Sequence, residues 1–502
     1  MTAEIALPLW LVLLLGALAL WAALTRILVP GVRWMLRRRV TLVIEDLNRR
    51  LPLKIPPFAL AKRQVLIDRL CYDPKVLAAV EAESTATGKP RAVLMGEVER
   101  YAREIVPAFN AYLYFRIGYW LARRFAAWVY RVRLGFADEA ALAAIPPGST
   151  VVFVMNHRSN FDYVLVAFLA ADRTALSYAV GEWARIWPLQ QLIRAMGGYF
   201  VRRNSGRGLY RRVLESYVAM AVENGVAQAI YPEGGLSRDG TLRRPKLGLI
   251  DYMLKAFDPA GARDLVFVPV GINYDRVLED RTLLLSLDQE RRQRSKLAAL
   301  GTTLGFISHN FSLMAQGRWY RFGYACVNFG TPLSARAWIS QHAPDLRQAD
   351  KERRIALVER FAEELMARVA AIIPALPVSL VATVMTREPT RTWTELEIKA
   401  EVKALMTRLV RAGAKVYVPR RDEDYAVGAG LRMLTLRRLV LVGEDGFYRV
   451  AAEELPLLRY YANAIAEGVA RADPAAAPEQ AAPPQRLGQL ALAQEATPLA
   501  GT

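Results

Sequence analysis

The sequence predicts an α/β fold, a largely parallel mixed sheet flanked by helices, preceded by a membrane helix and a helical region and followed by a small α+β domain. Two observations carry this. From residue 146 onward, short runs rich in Val, Phe and Tyr alternate with amphipathic stretches of helix length, the pattern of a βαβ chain. Ahead of them, residues 6–24, "ALPLWLVLLLGALALWAAL", hold no charge over 19 positions, and a helix rising about 1.5 Å per residue nearly crosses a hydrocarbon core at that length.

Bulk properties narrow the setting. At 502 residues the chain exceeds one comfortable core, so two or three folded units are expected. The excess of 67 basic over 48 acidic residues, net +19, calls for an anionic partner: nucleic acid, phospholipid headgroups or a phosphorylated substrate. The two cysteines, Cys71 and Cys326, stand far apart and outside any CxxC spacing, so they suggest neither a disulfide framework nor a zinc site and fit a reducing compartment.

Taken in order, residues 1–30 are expected to form a membrane anchor. The chain opens "MTAEI", with Glu4 and no basic residue, unlike a cleaved signal peptide. Arg26, Arg33, Arg37, Arg38 and Arg39 follow the span, so the positive-inside tendency places the body of the protein on the cytoplasmic side of the inner membrane. Residues 31–140 read as mainly helical; "AYLYFRIGYWLARRFAAWVYRVRL" (111–134) mixes aromatics with five arginines and suits a membrane interface as well as an ordinary core helix.

The central domain, 141–375, has strand candidates at 150–155, 175–180, 198–203, 226–231, 265–274 and 324–330, and helices such as "GLYRRVLESYVAMAVENG", which stops at Asn-Gly. An amphipathic helix over 350–372 closes it. "PALPVSL" then breaks the pattern, and residues 376–470 read as a second unit with a hairpin, "LRRLVLVGEDGFYRV", turning on Glu-Asp-Gly. From 471 the chain is too poor in large apolar residues to pack and is expected to be a disordered tail.

The chemistry concentrates at the predicted strand ends, where open parallel sheets place their sites. "NHRSNFDY" follows the first strand and sets His157 five positions before Asp162. Neutral imidazole can take a proton from an alcohol, and a carboxylate on the other ring N–H fixes the tautomer. Taken alone, the spacing fits a structural histidine too. "GGYFVRR" ends in Arg202 and Arg203, which strand alternation sends to opposite faces, either into a site for a phosphate or onto a solvated edge. "YPEGGLSRDG" brings Glu233 before Gly234 and Gly235, with Arg238 and Lys246 nearby, and fits a ligand loop or a tight turn. "VFVPVGINYD" carries Pro269 in an apolar strand.

In order and spacing, "NHRSNFD", "GGYFVRR", "YPEGGLSR" and "VPVGINYD" resemble the four blocks of the glycerolipid acyltransferases, most closely the glycerol-3-phosphate and dihydroxyacetone-phosphate branch. The resemblance covers about residues 150–275, with fainter similarity in "PVSLVATVM" and "LRYYANAIA". It implies His157 as general base, Asp162 as its orienting partner, and Arg202 or Arg203 on the acceptor phosphate. It further implies Glu233, Gly234 and Gly235 around the acceptor with Ser237, Arg238 and Lys246 nearby, and Pro269 bordering the acyl chain or thioester. Leu236 departs from the arginine usual after the two glycines.

The expected reaction is direct transfer from acyl-CoA or an acyl carrier protein to the 1-hydroxyl of glycerol 3-phosphate, giving lysophosphatidate, with no acyl-enzyme, no cofactor and no metal, since His309 and His342 lack partners at ligand spacing. Membrane phospholipid is the expected surface. Dihydroxyacetone phosphate and lysophosphatidate are sister acceptors, although Gly235 disfavours the latter. A serine hydrolase would need a G-x-S-x-G elbow, which "GLSRDG" misses by one position. A nucleic-acid binder would need a continuous basic face on 376–470.

Overall fold

The computed structural model describes residues 8–10, 16, 56–110, 113–170, 176–181, 189–202, 208–285, 322–346 and 348–473. The predicted membrane helix falls almost wholly outside the described residues, as do Arg203 and the tail from 474. Among the described residues no helix is long and apolar enough to cross a membrane.

Eight strands form one sheet: β1 (Arg131–Ala137), β2 (Thr150–Met155), β3 (Ser177–Gly181), β4 (Gly198–Val201), β5 (Gln228–Ile230), β6 (Leu265–Tyr274), β7 (Tyr324–Phe329) and β8 (Leu333–Ser334). Their order is β1-β7-β6-β2-β5-β3-β4, with β8 on β6. The pairs β1/β7, β6/β2, β2/β5, β5/β3 and β3/β4 run parallel, and β7 and β8 run antiparallel to β6. A hairpin of β9 (Val440–Val442) and β10 (Tyr448–Val450) stands apart.

The helices used below are α1 (Arg63–Cys71), α2 (Pro74–Thr87), α3 (Arg91–Ile105), α4 (Tyr119–Val129), α5 (Asp162–Ala170), α6 (Gly208–Glu223), α7 (Gly248–Ala256), α8 (Lys351–Ile372), α9 (Pro377–Arg387), α10 (Glu395–Arg411), α11 (Glu423–Leu436) and α12 (Leu455–Asn463).

Side-chain alternation along β2 explains the layering. Val151, Phe153 and Met155 enter one core and Val152 and Val154 the other; a strand covered on both faces is apolar throughout. On the second face lie α1, α2, α3, α6, α7 and α8. On the first lie α4, α5 and the C-terminal helices α9 to α12. Burying each Val, Leu or Phe of this kind stabilises the fold by roughly 1.5–3 kcal/mol.

Two differences from the sequence reading stand out. Residues 131–137, inside the region expected to be helical, form β1, an edge strand on which Arg131 and Arg133 lie exposed and Val132 is half-buried. The boundary at 376 does not separate two cores. Nine of the eleven residues of α9 are buried, Val378 N–H donates to Asp275 Oδ1 (3.2 Å) and Asn273 Nδ2 donates to Pro374 O (2.9 Å). Full burial pushes the Asp275 carboxyl up to about 6.

Candidate active site

The site forms beyond the carboxyl ends of β2 to β5, where neighbouring parallel strands release their loops on the same side of the sheet. Just past β2, Asn156 prolongs the ladder with its side chain: Nδ2 donates to Ile272 O (2.8 Å) and Oδ1 accepts from Ile272 N–H (2.7 Å). The next residue, His157, is thereby fixed at the strand end.

Its ring Nδ1 lies 2.9 Å from Asp162 Oδ2, at the first turn of α5. The same oxygen accepts the N–H groups of Arg158 (2.8 Å) and Ser159 (3.1 Å), and the Tyr274 hydroxyl donates to Oδ1 at 2.5 Å. A carboxylate surrounded by donors accepts, so Nδ1 carries the proton and Nε2 keeps its lone pair. Nε2 has no hydrogen-bond partner among the described residues. The ring lies 4.2 Å from that of Tyr231, tilted by 31°, and meets Tyr163 edge-on at 5.5 Å. Burial first, then the Asp162 charge, pushes the Tyr231 and Tyr274 hydroxyls well above their usual range, so both remain protonated.

His157 opens on a cavity of about 320 Å³. Among the described residues three cationic side chains line it, Arg202, Arg211 and Lys246, together with apolar side chains that include Val180, Val201, Leu214 and Leu249. Gly234 and Gly235 complete the rim. Gly234 has φ +65°, and a Cβ there would come within 2.6 Å of Lys246 Cδ, so only glycine lets the lysine lie across the loop.

The structure thus gathers His157, Asp162, Arg202, Gly234, Gly235 and Lys246 at one place. It sets other candidates elsewhere. Glu233 is buried beneath the loop and does not line the cavity: Oε1 accepts His157 N–H (2.7 Å) and Oε2 accepts Arg243 N–H (3.0 Å). Burial lifts its carboxyl to about 7, against the pull of those two backbone donors. Ser237 is consumed in a turn, its N–H donating to His157 O (3.0 Å) and its hydroxyl to Thr241 O (2.7 Å). Arg238 is half-buried and off the cavity wall. Pro269 sits inside the sheet, opposite Val154, where Gly330 N–H donates to its carbonyl.

Residues not singled out from sequence also serve the site. Tyr274 stood in a quoted block, where a tyrosine at the end of a buried strand was the available signal. Glu104, from α3, pairs with Arg202 and had no local signal at all. Among the described residues no three of His, Cys, Asp and Glu converge as a metal site.

Residues 140–273, the stretch that bears the histidine loop, match the acyltransferase family. Residues 310–472 match the family described as glycerol-3-phosphate acyltransferase C-terminal region. Both matches, and the relatives that follow, support a place for the chain among the glycerol-3-phosphate acyltransferases. It is 24% identical over 424 residues to the glycerol-3-phosphate acyltransferase of Actinobacillus succinogenes, covering 81% of this chain and 50% of that protein. It is 27% identical over 299 residues to that of Pseudomonas putida, covering 58% and 34%. The chain therefore spans half or less of the length of these relatives. Among solved structures it is similar to the 1-acyl-sn-glycerophosphate (LPA) acyltransferase PlsC of Thermotoga maritima, with 18% identity, TM-score 0.29, and coverage of 61% of this chain and 98% of that one.

Proposed function

We propose that this chain transfers a fatty acyl group from a thioester to the 1-hydroxyl of glycerol 3-phosphate, giving lysophosphatidate. The observation that carries the reading is the His157–Asp162 pair, 2.9 Å apart, opening on a cavity whose wall holds three cationic side chains. A phosphomonoester seated among Arg202, Arg211 and Lys246 brings its hydroxyl end toward the imidazole.

His157 Nε2 takes the hydroxyl proton while Asp162 stabilises the forming imidazolium. The alkoxide attacks the thioester carbonyl carbon, the C–S bond breaks, and the imidazolium returns its proton to the leaving thiolate. No covalent enzyme intermediate is needed. Acyl-CoA and an acyl carrier protein thioester both supply this chemistry. Residues 6–24 are proposed as a single membrane anchor that keeps the catalytic domain on the cytoplasmic side, next to the phospholipid that receives the product.

The experiment offers the purified chain labelled palmitoyl-CoA with glycerol 3-phosphate, dihydroxyacetone phosphate or lysophosphatidate in turn. Preferred acylation of glycerol 3-phosphate is expected, with a loss of roughly 10²- to 10⁴-fold in His157→Ala. A His157→Ala variant as fast as its parent refutes the assignment of the base.

A further inference from the structure

Of the two arginines that line the cavity, Arg202 is held by residues outside its own strand. Arg202 follows β4 directly, and its Nε and Nη2 donate to Glu104 Oε1 (2.9 Å) and Oε2 (2.7 Å), a bidentate pair across 98 positions of sequence. Glu104 lies in the last turn of α3, with its side chain 11% exposed against 30% for Arg202. Two aromatic rings fix the plane of the guanidinium: Tyr101, one turn before Glu104, and Tyr210 of α6, each with its ring centroid 5.3 Å from the guanidinium carbon. These rings meet edge to face, 5.4 Å apart at 87°. The Tyr210 hydroxyl also accepts Arg202 N–H (3.0 Å) and donates to Phe200 O (3.2 Å).

A guanidinium has two edges able to bind an oxyanion in parallel, Nε with Nη2 and Nη1 with Nη2. Glu104 occupies the first. On the second, Nη1 has no hydrogen-bond partner among the described residues and Nη2 keeps its other N–H, and Arg202 belongs to the cavity wall.

We infer that Glu104 is a positioning residue for the acceptor phosphate: by gripping the Nε edge of Arg202 it presents the Nη1/Nη2 edge to a phosphomonoester in the cavity. The N-terminal helical layer is then part of the active site, although it touches neither substrate nor the imidazole. The inference rests on the proposed reaction for the identity of the ligand. Its physical basis is the loss of rotamer freedom that an arginine would otherwise suffer on binding, already incurred in the folded protein.

Glu104→Asp separates this role from mere charge, because it keeps the carboxylate and withdraws it by one methylene. In the full chain, the KM for glycerol 3-phosphate is expected to rise about tenfold, the order of ordering one long side chain. The kcat and the KM for palmitoyl-CoA stay near the parent values. In an Arg202→Ala background the same change has no further effect on the KM. A parental KM in Glu104→Asp, a lowered one, or an undiminished effect without Arg202 overturns the inference; the lowered KM would make Glu104 a competitor of the phosphate. Titration calorimetry with glycerol 3-phosphate reads the seat without turnover. If the parent binds the ligand, and binds it about tenfold more tightly than Glu104→Asp does, yet transfers no acyl group, the reaction fails and the positioning role stands. If the parent binds no phosphomonoester, the positioning role falls.

Discussion

Replacing Glu233 by glutamine separates stability from activity. Burial holds this carboxyl at about 7 rather than 4.5. The folded chain therefore keeps the proton to higher pH than the unfolded chain, so the stability linked to this group is complete below about pH 4.5 and is lost as pH rises toward about 7. The gap between the two values is worth roughly 3 kcal/mol. Glutamine does not ionise, and its fold escapes this loss. Urea denaturation of parent and Glu233→Gln should thus show the difference in unfolding free energy moving by roughly 3 kcal/mol toward the variant between pH 4.5 and 8. Activity should move the other way. The carboxylate accepts both His157 N–H and Arg243 N–H, whereas the amide offers one oxygen and turns an N–H toward the other donor. An unsatisfied buried donor costs about 1–3 kcal/mol at every pH, which lowers the variant's whole stability curve without changing its slope; with the His157 N–H less firmly held, a loss of roughly tenfold in kcat at pH 8 is expected. Parallel pH–stability curves for parent and variant would refute the reasoning.

Three further changes test other contacts. Tyr274→Phe removes the hydroxyl that donates to Asp162 Oδ1 at 2.5 Å; a hydrogen bond to a charged group is worth about 1.5–3 kcal/mol, and kcat, measured by acyl transfer, should fall at least about tenfold with the KM for acceptor unchanged. Gly234→Ala forces a left-handed residue to carry a Cβ 2.6 Å from Lys246 Cδ; the lysine must leave the rim, and the KM for glycerol 3-phosphate should rise. Arg437→Met strands Asp280, whose Oδ2 lies 2.6 Å from Arg437 Nη2 in a nearly solvent-free pair; thermal melting should register a loss of roughly 3–5 kcal/mol.

The strands at 150–155 and 265–274 were legible because both faces of each are covered, and a central strand of a mixed sheet is then an unbroken apolar run. β1 was hidden for the opposite reason: on an edge it alternates arginine with Val132 and Leu134, and its charge resembles the polar side of the helix before it. Pro374 and Pro377 read as a break, yet Pro377 occupies the first turn of α9, where its missing N–H has no helical partner to lose. The His157–Asp162 pair was legible because five residues of loop and first helical turn suffice to close it. The roles of Glu233 and Ser237 were not. A buried loop must satisfy its own backbone N–H groups, and a polar residue doing so is indistinguishable in sequence from one that meets a ligand.

That requirement also explains why the conspicuous blocks are longer than the chemistry needs. The loop 156–162 is fixed by groups from four other parts of the chain. Glu233 holds its N–H at His157. Tyr274 saturates Asp162. Glu279 accepts the Ser159 hydroxyl (2.7 Å) and Asn160 N–H (3.2 Å), and burial raises its own carboxyl in return. From α12, the Tyr460 ring lies 4.8 Å from the Arg158 guanidinium, while Arg158 Nη1 donates to Gly240 O (2.5 Å) and Asn463 Nδ2 donates to Asp239 O (2.9 Å). The helices after 376 therefore brace the outer side of the loop whose inner side faces the cavity. The proposed general-base role requires the imidazole to sit within a few tenths of an ångström of its productive place. Here that precision comes from contacts spread over some 300 residues, which is why the C-terminal helices share the core of the sheet instead of folding beside it.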